Sequence, residues 1–261
     1  MTSAVPDILA RIVQHKKAEL ENVTTPMSEL EGRAFASIQS RRDFAAALRA
    51  KKPAIIGEIK KASPSKGLLT SDFRPAANAI EYEAGGAAAL SILTDQQFFQ
   101  GSLNDLQMAR SAVAIPALRK DFTISEYHVI EAAANGADAI LLIAAILTTD
   151  EMRCYRELAT RFRMAALVEV HDDAELDSAL DSGAQIIGVN NRNLHTFEVR
   201  LETSFHLARR IPADLIKVSE SGIENRSQID QLRDAGFDAF LIGEHLMRSE
   251  SPRESLLSLT A

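Results

Sequence analysis

The sequence predicts an α/β protein, a (β/α)8 TIM barrel with an N-terminal helical extension. It reads as one domain over 1–261, of which 1–52 is the extension. Three observations lead there. From Pro53 onward, short apolar runs alternate with amphipathic stretches of helical period, eight times over. Each run is apolar on both faces, as parallel strands covered by helices must be. A repeat centred on glycine runs through the alternation. Gly85-Gly86-Ala87-Ala88-Ala89-Leu90 is echoed around Gly136, Gly183 and Gly236, in steps of 50, 47 and 53 residues from Gly86. Each glycine ends a helix just ahead of a strand, and each step holds two strand–helix units. An open doubly wound sheet is the alternative fold. It would usually carry a Gly-x-Gly-x-x-Gly turn after an early strand, and the sequence has none.

Taken in order, Asp7 caps a helix running through Ile8, Leu9, Ile12, Val13 and Leu20. Its other face carries Arg11, His15, Lys16 and Lys17, which read as a solvated face rather than a phosphate or membrane contact. A second helix is predicted over 40–50. Strands follow at 53–59, 87–93, 114–118, 139–145, 165–168, 186–189, 215–218 and 239–242. Helical stretches between them include 125–134, 151–161, 172–180 and 226–235.

Composition narrows the function classes. The 261 residues are 46% hydrophobic and 25% charged, an ordinary globular balance. A net charge of −7 argues against a nucleic-acid partner, so any anion must be held by local charges. The single cysteine, Cys154, excludes an internal disulfide and fits a reducing compartment. Residues 1–21 do not read as a secretory leader, and no apolar run reaches the ~18 residues of a spanning helix. The expectation is a cytoplasmic protein with no membrane partner. Protein partners are not indicated.

In a barrel of this kind, chemistry sits at the C-terminal ends of the strands. The first strand ends in Glu58, Lys60 and Ser63, and the loop 61–67 carries two more lysines. The second ends in Ser91, Thr94 and Asp95, followed by Phe98 and Phe99. The third ends in Arg119-Lys120-Asp121-Phe122, where Lys120 beside Asp121 could also be a rim salt bridge. The fourth ends without charge around Leu141. The fifth ends in Glu169 and His171, the sixth in Asn190-Asn191-Arg192-Asn193, the seventh in Ser219-Glu220-Ser221-Gly222 and the eighth in Gly243-Glu244. Solvation alone does not require so many polar groups at one end. Gly222 and Gly243, in the loops after the last two strands, suit a phosphate cradle of backbone N–H groups. A bulky side chain at Gly243 is then expected to crowd the phosphate and raise KM. Glu244 fits such a cradle through its N–H only, with its carboxylate turned away. His171 and His195 read as rim residues. There is no His-x-His or His-Glu-x-x-His pair and no thiolate cluster, so no metal is expected. No Gly-x-Ser-x-Gly elbow is present either, which leaves lysines, carboxylates and amides to do the chemistry.

These residues resemble a known family. The segments Glu58-Ile59-Lys60-Lys61-Ala62-Ser63-Pro64-Ser65-Lys66-Gly67, Leu118-Arg119-Lys120-Asp121-Phe122, Leu167-Val168-Glu169-Val170-His171, Gly188-Val189-Asn190-Asn191-Arg192-Asn193-Leu194 and Ser219-Glu220-Ser221-Gly222-Ile223 are similar to those of indole-3-glycerol phosphate synthase, in the same order and across essentially the whole chain. The resemblance implies a barrel enzyme of tryptophan biosynthesis. It converts 1-(2-carboxyphenylamino)-1-deoxyribulose 5-phosphate to indole-3-glycerol phosphate, carbon dioxide and water, without a cofactor. It further implies Lys120 as general acid and Glu169 as the carboxylate assisting proton transfer. Lys60 is implied in ring closure or dehydration, and Glu58, Asn190, Ser221 and Glu220 around the reacting centre. Ser63 and Arg192 fall near the substrate's carboxylate and phosphate ends. Phe99, Phe122, Leu141 and Leu194 form an apolar wall, and Gly222, Gly243 and Glu244 the phosphate cradle. Some members carry serine where Glu244 stands, so only its backbone contact carries over. Ending soon after the eighth strand, the chain resembles members that are not fused to a second, isomerase barrel. The loop 61–67 is expected to close on substrate. A phosphoribosylanthranilate isomerase would share the cradle but lack the Glu58/Lys60 pair and Lys120. A barrel that only binds phosphorylated metabolites need keep neither acid nor base.

Overall fold

Eight parallel strands close on themselves in the computed structural model, which describes residues 7–260. They are β1 Ala54–Ile59, β2 Ala89–Leu93, β3 Ala117–Lys120, β4 Ala139–Ile143, β5 Ala165–Val170, β6 Ile186–Asn190, β7 Ile216–Glu220 and β8 Ala239–Ile242. Each pairs with the next, and β1 pairs with both β2 and β8. The alternation read from the sequence is therefore a closed barrel and not an open sheet. The repeat glycines have the role expected of them. Gly86, Gly136, Gly183 and Gly236 take φ of 91°, 89°, 83° and 97°, the left-handed conformation that ends a helix.

Side chains alternate strictly along each strand. Residues facing out of the barrel, such as Ile55, Leu90, Ile140, Val168, Ile187 and Phe240, meet the surrounding helices. Residues facing in, such as Ile56, Leu118, Leu141, Leu167, Val218 and Leu241, fill the barrel itself. The same parity carried toward the strand ends points Glu58, Lys120, Glu169, Asn190 and Glu220 inward. That is why the site sits at this end of the barrel.

The helices outside are α4 Pro75–Ala84, α5 Leu103–Ala112, α6 Glu126–Ala134, α7 Thr149–Arg161, α8 Asp173–Asp181, α9 Glu202–Ala208 and α10 Arg226–Asp234. A short α11 Glu244–Met247 follows β8, and α12 Pro252–Thr260 closes the chain. Capping boxes start two of them, Thr148 with Glu151 on α7 and Asn225 with Gln228 on α10.

The extension holds α1 Asp7–Glu21, α2 Met27–Ala36, a 3-10 turn and α3 Phe44–Ala50. Residues 1–6 of the extension, and Ala261, lie outside the described residues. The helix expected at 40–50 begins later, because Asp43 caps it by accepting from the Ala46 N–H. Phe44 and Leu48 pack with Ala54 and Ala239 at the starts of the strands, so α3 plugs the bottom of the barrel. Arg41 and Arg42 donate to the carbonyls of Ala137 and Ile115, just ahead of β4 and β3.

The reading of α1's basic face needs correction. Arg11 and Lys17 are exposed, but Lys16 is only 4% exposed. Its ammonium lies 3.1 Å from Asp95 and 3.0 Å from Asp121, which follow β2 and β3. His15 meets Phe98 edge-on at 5.8 Å. Burial opposes the Lys16 charge, but Asp121 and Asp95 outweigh it and hold the ammonium above the ordinary lysine range. The physical reason is tertiary: two buried carboxylates, far along the chain, need a cation. The pair fixes α1 across the barrel mouth.

Candidate active site

Strand boundaries matter first. The third strand was read at 114–118 and the fifth at 165–168, ending where the apolar run ends. Their backbone ladders continue, so Lys120 and Glu169 belong to β3 and β5. The seventh likewise reaches Glu220 and the sixth Asn190. Strand hydrogen bonds use the main chain and are indifferent to a charged side chain whose tip points into the mouth.

A cavity of about 970 Å³ opens there. Each residue assigned from the resemblance lines it: Lys120, Glu169, Lys60, Glu58, Asn190, Ser221 and Glu220, and around them Ser63, Phe99, Phe122, Leu141, Arg192, Leu194, Gly222, Gly243 and Glu244. Three wall residues had no signal beyond helix amphipathicity. Ile8, Leu9 and Ile12 of α1 reach the same cavity, carried there by the Lys16 anchor.

The charges interlock. Lys120 donates to Glu169 at 3.0 Å, and its ammonium lies 3.6 Å from Glu220. Asn190 donates to the other Glu169 oxygen at 3.1 Å. Lys60 donates to Glu58. Asp121 is not the partner of Lys120, contrary to the rim-pair reading. It pairs instead with Lys16 and Arg119, because its parity on the chain is opposite to that of Lys120. Asn191 also points away from the cavity. Its amide bonds Ser219 Oγ and the Ser221 carbonyl, which holds Ser221 at φ 69°. A serine in that region is strained and persists only where its surroundings enforce it.

Two glycines make room for two carboxylates. A Cβ on Gly188 would come within 2.2 Å of Glu220 Oε1, and one on Gly243 within 2.3 Å of Glu58 Oε1. Gly243 therefore does more than open a cradle: its bare face is where the Glu58 carboxylate lies.

Electrostatics divide Lys120, Glu169 and Glu220. Burial opposes the Lys120 charge, but Glu169, Glu220 and Glu58 outweigh it and hold the ammonium well above the ordinary lysine range. Burial also opposes ionisation of Glu169. Lys120 and His171 outweigh that and hold it well below the usual carboxylate range. Burial pushes Glu220 up to about 8; Lys120 opposes the shift, while Glu169 and Glu58 add to it. Its Oε1 has no hydrogen-bond partner. Of the two buried carboxyls, Glu220 is thus the one pushed toward its protonated form and Glu169 the one held ionised. The folded state keeps a proton on Glu220 that the unfolded chain releases. The stability this adds is full below the ordinary carboxylate range and is lost as pH rises through about 8. Glu220→Gln is expected to be more stable than the parent at pH 9, with the gap narrowing toward pH 5. Thermal unfolding across that range measures it.

Ser221-Gly222 and Gly243-Glu244 line the same cavity. The Glu244 carboxylate lies 3.5 Å from Lys66 and 3.4 Å from Arg248, so two cations engage it. Lys66 belongs to a small antiparallel hairpin, Ala62–Ser63 against Gly67–Leu68, that stands over β1. His195 is exposed, as expected of a rim residue. His171 is not a plain rim residue, because its ring lies 3.4 Å from Glu169. No group of three or more His, Cys, Asp or Glu among the described residues could hold a metal ion.

Comparison with known proteins gives a family from sequence and a fold from structure. The family model described as "Indole-3-glycerol phosphate synthase" matches residues 9–259. A relative of that name from Dechloromonas aromatica (strain RCB) is 49% identical over 261 residues, covering 98% of this chain and 99% of its own. Another of that name, from Polaromonas naphthalenivorans (strain CJ2), is 48% identical over 259 residues, 97% of this chain and 98% of its own. Among solved structures, KGPDC from Streptococcus mutans superposes with a TM-score of 0.59 at 12% identity, covering 79% of this chain and 95% of that one. At that identity the likeness shows the barrel fold alone.

Proposed function

The chain belongs to the indole-3-glycerol phosphate synthase family, and on that premise we propose how its residues divide the work. The reaction is that of a carboxy-lyase in tryptophan biosynthesis. It closes the ring of 1-(2-carboxyphenylamino)-1-deoxyribulose 5-phosphate, expels carbon dioxide and removes water. The observation that carries the residue assignment is the 3.0 Å contact of Lys120 with Glu169, inside one cavity with Lys60 and Glu58.

Lys120 is the acid of ring closure. As the ring carbon bearing the carboxylate attacks the sugar ketone, the ketone oxygen gains charge. An ammonium both stabilises that charge and supplies the proton. The carbon–carboxylate bond then breaks, and its electron pair restores the aromatic ring as carbon dioxide leaves. Lys60 is the acid of dehydration, protonating the departing hydroxyl. Glu169 is the base that takes the proton from the carbon beside nitrogen, and that proton returns to Lys120 across the short gap between them. A carboxylate leaves as a neutral gas and a hydroxyl leaves as water, so one proton is taken up per turnover. It enters at Lys60.

The apolar wall of Phe99, Phe122, Leu141, Leu194 and α1 holds the flat ring, and such positioning supplies a share comparable to acid–base catalysis. Ser63 and Arg192 lie toward the substrate's charged ends. Gly222, Gly243 and the Glu244 N–H hold the phosphate, with Lys66 and Arg248 adding positive charge, while Glu58, Asn190, Ser221 and Glu220 surround the reacting centre. The hairpin bearing Lys66 is the part that closes on substrate. We read the chain as one barrel domain with residues 1–52 as its extension, in the cytoplasm, where the single cysteine is at home.

The chain has no tryptophan, so indole fluorescence from the carboxyphenylamino substrate is read against no tryptophan background. Turnover by the parent and its loss in Glu169→Gln are expected. A parent that binds the substrate without producing indole would favour the binding-only barrel.

A further inference from the structure

One charged side chain beside the reacting centre has no part in the steps above. His171 stands just past β5, two residues beyond Glu169. Its Nε2 lies 3.4 Å from Glu169 Oε1, an ion-pair distance without hydrogen-bond geometry. Its Nδ1 lies 2.9 Å from Glu175 Oε2 on α8. The same Glu175 oxygen accepts the His171 main-chain N–H at 2.8 Å, so one carboxylate grips both backbone and ring. His171 does not line the cavity. Glu175, His171, Glu169 and Lys120 thus form a row of alternating charge running from a helix outside the barrel to the acid within it.

We propose that His171 is a positioning residue for this reaction: oriented by Glu175, it keeps Glu169 an anion after Lys120 has given its proton to the substrate. The inference rests on the reading of Glu169 as the base of dehydration.

The need for such a group follows from the order of steps. In the resting site two cations share Glu169. When Lys120 protonates the ketone oxygen, it becomes a neutral amine and its attraction for the carboxylate vanishes. Burial alone would then raise the Glu169 carboxyl. A base that fills early cannot accept the carbon-bound proton later. Asn190 still donates to Glu169 but brings no charge. Glu220 on β7 and Glu58 on β1, the other carboxyls facing this cluster, bring no positive charge to replace that of Lys120. His171 does. Burial opposes its charge, but the carboxylates of Glu169 and Glu175 outweigh that and raise it to about 10, which favours the cationic ring across the neutral range.

The pH dependence of kcat reports ionisation of the base in the substrate complex. It is to be measured by indole fluorescence for the parent, His171→Gln and Glu175→Gln, with thermal unfolding as the check on folding. In His171→Gln the acid limb is expected to move up by about 1 pH unit or more, as loss of a close opposite charge implies. KM is expected to stay within about two-fold, because the ring does not line the cavity. Glu175→Gln should move the same limb in the same direction by less, and it carries the test if His171→Gln does not fold. A merely structural role would lower kcat evenly at all pH and leave the limb in place; that result in a folded variant overturns the inference. Glu169→Gln separates the two levels. If it turns over normally, the base assignment falls and this inference with it. If it is inactive while the His171 limb is unmoved, the inference alone is overturned.

Discussion

Lys120→Met is expected to fold and to lose turnover by about 10²–10⁴-fold, the share of a well-placed general acid. Methionine fills much the same volume and removes only the charge and the proton. Taking one partner from a buried ion pair can cost about 3–5 kcal/mol, because the other is left uncompensated. Here the cost is expected to fall below that range. Glu169 keeps the His171 charge and the Asn190 amide, and burial already pushes Glu220 toward its protonated form. Stopped or steady-state indole fluorescence, with urea unfolding alongside, measures both quantities. Turnover within about ten-fold of the parent would remove Lys120 from ring closure and leave Lys60 as the acid of both steps.

Gly243→Ala is expected to lower kcat by about 10²-fold, with KM changed far less. The reason lies in what the new methyl meets. Its Cβ would sit 2.3 Å from Glu58 Oε1 and 3.0 Å from Glu58 Cδ. No real contact is that close, so Glu58 must swing away and break its bond to Lys60. Displacing a catalytic group by about 1 Å from its productive geometry costs on the order of 10²-fold. This reverses the expectation from sequence, in which a side chain at Gly243 raises KM by crowding phosphate. Michaelis kinetics of the alanine variant separate the two. A raised KM with the parent's kcat would return Gly243 to the cradle role alone.

Much of the fold was legible because barrel strands advertise themselves. Ile140, Leu141, Leu142 and Ile143 are apolar on both faces, and Gly136 ahead of them ends a helix in a conformation that favours glycine. The ends of the strands were less legible. Arg119, Lys120 and Asp121 read as one charged loop. In the structure Lys120 reaches Glu169 and Glu220, while Asp121 pairs with Arg119 and Lys16. Only the register of the strand decides which of three adjacent charges faces inward. Lys16 illustrates a related limit. Helical spacing puts it on the buried stripe of Leu9 and Ile12, but nothing local shows that Asp95 and Asp121 wait there for its charge.

The sequence by itself determined the architecture, the polar inventory at the strand ends and the family, since these rest on periodicity, glycine spacing and local motifs. Tertiary structure alone decided which carboxylate pairs with which lysine, that α1 walls the cavity, that His171 backs Glu169, and that Gly188 and Gly243 are spaces for Glu220 and Glu58. Those facts depend on contacts between residues distant in the chain. Local pattern carries no record of such contacts, because burial and charge pairing are properties of the assembled barrel and not of any one segment.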